Sequence, residues 1–98
     1  MKNPISNLQK IFDSRIRLGI MSALMVNETI DFNSLKELLE LTDGNLASHL
    51  KALEQQNIIV VFKQFVGRKP STTYQATETG RDLFRQHLNA LEELISKQ

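Results

Sequence analysis

Ninety-eight residues, 41% of them hydrophobic and 23% charged, describe one domain (residues 1–98) near the lower end of what can bury its own core. Cysteine is absent and the two histidines are far apart in sequence, so neither a disulfide framework nor a thiolate metal site is available. The net charge is only +1, but it is unevenly spread: Met1 to Asn57 holds six Lys/Arg against seven Asp/Glu, Ile58 to Pro70 three against none, and Ser71 to Gln98 three against four.

The N-terminus MKNPISNLQK lacks the long apolar run of a signal peptide or membrane span, so a cytoplasmic chain with no membrane partner is expected. Leu8, Ile11, Phe12, Ile16, Ile20 and Leu24 recur every three to four residues and predict an amphipathic helix beginning soon after Pro4. Leu18, Met21 and Met25 widen its apolar surface enough to touch more than one neighbour. Thr29 to Phe32 reads as a very short strand. Asn33 or Ser34 then caps a second helix, with Glu37 three residues after Ser34 as in a capping box, and Leu35, Leu38, Leu39 and Leu41 form its buried side.

Thr42 is placed to cap a third helix through the amide near Asn45, and Asp43 suits the positive end of that helix dipole. On a helical wheel Leu46, Leu50 and Leu53 cluster, while Gly44, Ser48, Lys51 and Gln55 lie opposite. Asn57 accepts the left-handed conformation that ends a helix. Ile58 to Val66 reads as a strand, Gly67 to Pro70 as a turn carrying Arg68 and Lys69, and Ser71 to Thr77 as the antiparallel return. Thr77 caps a last helix whose Leu83, Phe84, His87, Leu88, Leu91, Leu94 and Ile95 follow nearly heptad spacing. A helix of roughly 18 residues would be about 27 Å long, more than so small a body can cover, which points to a second copy packing on Leu8, Ile11, Phe12 and this seam.

This order defines an α+β, mostly helical fold: a three-helix core, a β-hairpin and a C-terminal helix. SRIRLGIMSAL, DFNSLKELLELTDGNLASHLKALEQQNII and FVGRKPSTTYQATETGRDLF together resemble winged helix-turn-helix transcriptional regulators of the MarR and ArsR type. The resemblance covers nearly the whole chain and is nearest to small stand-alone MarR-like regulators with a GRKP wing tip. It implies a homodimer on double-stranded DNA, with the third helix in the major groove and the wing on the minor groove or backbone. By position, Gly44, Asn45, Ser48 and Lys51 would face bases or nearby phosphates. Lys63, Arg68 and Lys69 would lie on the wing, and Arg15, Arg17, Ser34 and Lys36 would approach phosphates less directly. The dimer interface would draw on Leu8, Ile11, Phe12, Phe84, His87, Leu88, Leu91, Leu94 and Ile95. Asn57 stands where relatives usually place glycine, and the recognition face has one lysine and no arginine.

Asn45 can pair with adenine and Ser48 with several bases, although a capped, solvated helix surface has the same composition. His49 at the margin of the apolar face reads as a partly buried structural histidine. His87 reads as interface filling, with a pH response as the sharper alternative. No nucleophile–base pair, glycine-rich phosphate loop or paired metal spacing is present, so neither an enzyme nor a cofactor or metal is expected. Apolar walls between the first and last helices leave room for a small effector of unidentified chemistry. The rival expectation is a winged-helix protein–protein interaction module without specific DNA binding.

Overall fold

The apolar repeat that predicts one long first helix is divided in the computed structural model, which describes residues 4–96. Short 3₁₀ turns occupy Pro4–Asn7 and Lys10–Phe12, and α1 runs only from Arg15 to Val26. Ser14 causes the break: it is extended at φ −162°, and its hydroxyl accepts the backbone N–H of Arg17 at 3.3 Å. Phe12, at the end of the second 3₁₀ turn and outside α1, is fully buried with Ile20, Met21 and Leu24 of α1.

The short strand β1 covers Ile30–Asp31 and leads directly into α2, Phe32–Leu39. The cap of α2 is Asp31, neither Asn33 nor Ser34: its carboxylate accepts the backbone N–H of Ser34 at 3.1 Å and the Ser34 hydroxyl at 2.6 Å. A carboxylate is a stronger acceptor than a hydroxyl at the positive end of a helix, and starting one turn earlier satisfies that amide. Leu35 is fully buried, but Leu38 is 63% exposed and does not belong to the buried side. The helix ends through Glu40, left-handed at φ 52°, while the N–H of Leu41 reaches back to the carbonyl of Lys36 at 3.1 Å.

α3 spans Asp43–Gln55, and Thr42 caps it as expected, accepting the N–H of Asn45 at 3.2 Å. Asn57 takes the left-handed conformation at φ 59° and turns the chain into the sheet. β2 (Ile59–Val66) and β3 (Lys69–Ala76) form an antiparallel hairpin, with β1 on the other side of β3. The turn is shorter than the sequence suggests. Val66 pairs with Lys69, leaving only Gly67, at φ 66°, and Arg68 outside the ladder. Pro70 is tolerated within β3 because β1 reaches only Thr73 and Tyr74, so Pro70 lies in the two-stranded part of the sheet.

α4, Glu78–Ser96, is capped by Thr77, whose hydroxyl accepts the N–H of Gly80 at 2.9 Å. Arg81 ties this helix back to the end of α1 by donating to the carbonyls of Leu24 at 3.1 Å and Met25 at 3.4 Å. Gly80, Phe84, His87 and Ala90 form the buried stripe of α4, whereas Leu88 is 42% and Ile95 77% exposed. Phe12, Phe84 and His87, expected at a partner interface, are therefore already enclosed within one chain. The Cα radius of gyration is 14.9 Å and the long axis 57 Å. A compact chain of this length would have a radius of about 13 Å, so the molecule is elongated.

Candidate nucleic-acid interface

α3 separates into two faces. Leu46, Leu50 and Leu53 are buried in the core, while Gly44, Asn45, Ser48 and Lys51 are exposed. A side chain at Gly44 would meet nothing within 4 Å, so packing does not demand glycine there and the surface is open. Ser48 makes only a marginal hydrogen bond, 3.5 Å from the carbonyl of Asn45, and the Asn45 side-chain amide has no partner among the described residues. Both retain the donors and acceptors that base edges can engage.

The hairpin carries the second concentration of polar reach. Arg68 and Lys69 are exposed at its tip, and neither they, Lys63 nor Lys51 enters an ion pair among the described residues. Strand alternation divides the wing cations: Lys63 is opposite Thr72 on one face, and Lys69 is opposite Val66 on the other. Lys63 lines a groove of about 410 Å³ with Asn33, Pro70 and Thr72, between the start of α2 and the wing. Asn33 is expected from the sequence only as a helix cap and Thr72 in no site role; strand register sets Thr72 opposite Lys63, and the pairing of β1 with β3 brings the start of α2 alongside.

The four remaining cation and hydroxyl positions fare differently. Arg15 is exposed and shares a groove with Thr42 and Asn45 at the start of α3. Lys36 forms a 2.8 Å ion pair with Asp43, so a phosphate at Lys36 has to compete with that carboxylate. Ser34 has its hydroxyl proton committed to Asp31, and this bond, with the local amides, holds the Asp31 carboxyl below its usual 3.8. Arg17 points to protein: Nε donates to the carbonyl of Ile11, and Nη1 donates to Nδ1 of His49 at 3.0 Å.

Both histidines are acceptors. Nδ1 of His87 accepts the backbone N–H of Gln9 at 2.9 Å, with the Phe12 ring edge-on 5.4 Å away. Burial lowers the His87 pKa below 6.5, against a weaker upward pull from Asp13. Burial, then the Arg17 charge, lowers that of His49. The unfolded chain therefore binds more protons than the folded one in the window below 6.5, so stability is lost as pH falls through that window. Melting curves are expected to be flat above about pH 6.5 and to decline below it by at most about 1.4 kcal/mol per pH unit for each histidine. The Asp31 contribution is lost in a separate window, as pH drops below 3.8 through its folded value. A melting temperature independent of pH between 7.5 and 5 would contradict the neutral, acceptor state of both rings.

A pocket of about 680 Å³ opens beside His87, walled by Leu8, Phe12, Leu18 and Leu91 and edged by Lys10, Asp13 and Arg15. Among the described residues no group of three or more His, Cys, Asp or Glu is arranged to hold a metal ion. No helix among them is long and apolar enough to cross a membrane.

An exposed polar helix presented beside a basic hairpin, on a three-helix core with a trailing helix, defines the winged-helix transcriptional regulator class. Residues 16–95 match the winged helix DNA-binding domain family, and the chain belongs to it. A transcriptional regulator homologue from Pyrococcus horikoshii OT3 superposes with a TM-score of 0.88 at 28% identity, covering 98% of this chain and 97% of that one. An uncharacterized protein of Methanocaldococcus jannaschii is 39% identical over 79 residues, 81% of this chain and 86% of its own length. The structure of NadR in complex with 4-hydroxyphenylacetate shares the fold at a TM-score of 0.72 and 18% identity, over 96% of this chain and 69% of that one. The fold and the matched family are those of winged-helix transcriptional regulators.

Proposed function

We propose that this chain is a homodimeric, site-specific DNA-binding regulator of transcription that places α3 in the major groove and the wing along the minor groove or backbone. The observation that carries this reading is the combination of an exposed polar face on α3, Gly44, Asn45, Ser48 and Lys51, with wing cations Lys63, Arg68 and Lys69 that enter no ion pair among the described residues. The helix supplies groups that distinguish bases, and the wing supplies charge that any phosphate backbone attracts. Arg15, and Lys36 after release from Asp43, add backbone contacts.

The exposed apolar face of α4 supports dimerisation. Leu88 and Ile95 are exposed on α4, with Leu91 half-buried between them. A second copy that covers them, together with Leu8 and Ile11 of the N-terminal segment, forms a self-complementary two-fold interface. Two-fold symmetry then sets the recognition helices about 34 Å apart, one turn of DNA. NadR is described with 4-hydroxyphenylacetate bound. For this chain we extend only the expectation of a small effector, seated in the apolar pocket by His87 and able to change the angle between the two recognition helices.

A protein-binding module is the second reading, and the exposed Val60, Phe62 and Val66 on the outer face of the wing favour it. Selection of bound duplexes from a randomised library distinguishes the two. The DNA reading predicts enrichment of a two-fold symmetric motif with half-sites one helical turn apart. Recovery of unrelated sequences after repeated rounds would leave the interaction module in its place.

A further inference from the structure

Arg17 is the one cation of the expected DNA-facing set whose donors are directed at uncharged protein groups. Its guanidinium bridges two separate elements, the carbonyl of Ile11 in the N-terminal segment and Nδ1 of His49 on α3. An arginine is always protonated, so His49 must accept, which fixes its ring as the Nε2–H tautomer. His49 lies one helical turn after Asn45 and directly follows Ser48, the two residues with the greatest capacity to read bases. The other end of the bridge is equally constrained. Ile11 adjoins Phe12, which is fully buried with its ring 5.1 Å from Phe84, and Gln9 donates its N–H to His87 of α4. A continuous path of hydrogen bonds and packed rings therefore runs from the last helix through the N-terminal turn to the recognition helix.

We infer that Arg17 is a positioning residue: it orients α3 through His49 and couples that orientation to the turn docked on α4, without touching DNA. The inference rests on the DNA-binding reading above and adds the element that sets how its recognition face is presented. The fork geometry is essential, because one planar guanidinium serves two acceptors in different directions while a lysine ammonium on a flexible stem does not hold both in register. A positioning role also has a different signature from a phosphate contact. Loss of orientation weakens the chosen site more than random DNA, whereas loss of a phosphate contact weakens both alike and flattens the salt dependence.

The test compares wild type, Arg17→Gln and Arg17→Lys, using the duplex enriched by selection, a random duplex, and the proton NMR titration of the His49 ring. In Arg17→Gln the His49 titration is expected to move to higher pH, because the neighbouring positive charge is gone. The affinity ratio between selected and random duplex falls by about tenfold, the scale of losing one charge-assisted hydrogen bond, with the salt slope unchanged. Arg17→Lys retains the charge but shows the same loss of ratio. The proposal is overturned if the slope flattens by about one unit on both duplexes, if lysine restores the ratio, or if the His49 titration does not move. Should Arg17→Gln fail to fold, His49→Leu removes the far acceptor while leaving the Ile11 bond, and the same loss of ratio is required. A wild type that does not discriminate between duplexes overturns the DNA reading, and the positioning role with it. The His49 titration then still reports whether the Arg17 bridge exists, separating the two failures.

Discussion

Gly80→Ala is expected to lower stability by about 3 kcal/mol, a large part of the roughly 5–15 kcal/mol that holds a domain folded. A Cβ at Gly80 would lie 2.1 Å from the carbonyl oxygen of Ile58 and 2.8 Å from its carbon, closer than any side chain tolerates. Backbone, not a flexible side chain, is the obstacle, and it has little freedom to move. The Ile58 carbonyl accepts the N–H of Thr77 at 3.0 Å, and the Ile58 N–H is bonded to the carbonyl of Leu53 at 3.0 Å. The Thr77 hydroxyl adds a bond to the carbonyl of Asn57 at 2.7 Å while accepting from Gly80 itself. Relief of the clash must therefore tilt α4 away from the end of α3 and the start of the sheet, breaking the cap as it moves. The helix propensity gained by alanine, about 1 kcal/mol, offsets only part of this. Urea denaturation reads the effect, and a midpoint equal to that of wild type would show that α4 does not pack as described. Gly44→Ala is the control: it has open space, and it should keep or slightly raise stability.

Removing both wing-tip cations, Arg68→Ala with Lys69→Ala, is expected to weaken DNA binding on the order of a hundredfold and to flatten the salt slope by roughly two units. The hairpin should remain intact, because its turn depends on Gly67 and its ladder on backbone pairing from Ile59 with Ala76 to Val66 with Lys69. Circular dichroism and melting temperature should match wild type, which separates lost contacts from lost structure. Selected and random duplexes should lose affinity nearly equally, since backbone contacts position a protein without reading sequence. Unchanged affinity and slope would remove the wing from the interface.

Much of the fold was legible because its signals are local. Thr42, Asn57 and Thr77 each act within a few residues, and all three do what their chemistry predicts at the helix ends. The two strands of the hairpin and the leucine face of α3 were equally readable. Periodicity misled in the N-terminal segment because two short turns and α1 carry apolar residues at the same spacing, and only the Ser14 cap divides them. Asp31 was passed over as a cap because it sits in a strand as well. Gly80, Arg17 and the groove joining Lys63 to Asn33 depend on contacts between segments distant in sequence, which no local pattern encodes. Residue type nominated the DNA-facing cations, but tertiary partners distinguish Arg15, which remains exposed, from Arg17, which is bridged, and Lys36, which is paired with Asp43.

The most direct test is a titration of the purified protein against a labelled selected duplex at several salt concentrations, with random DNA as competitor. The account predicts two protomers per duplex, a competition ratio of at least about a thousandfold, and a steep loss of affinity with salt. Equal affinity for selected and random duplexes, or binding insensitive to salt, would contradict it.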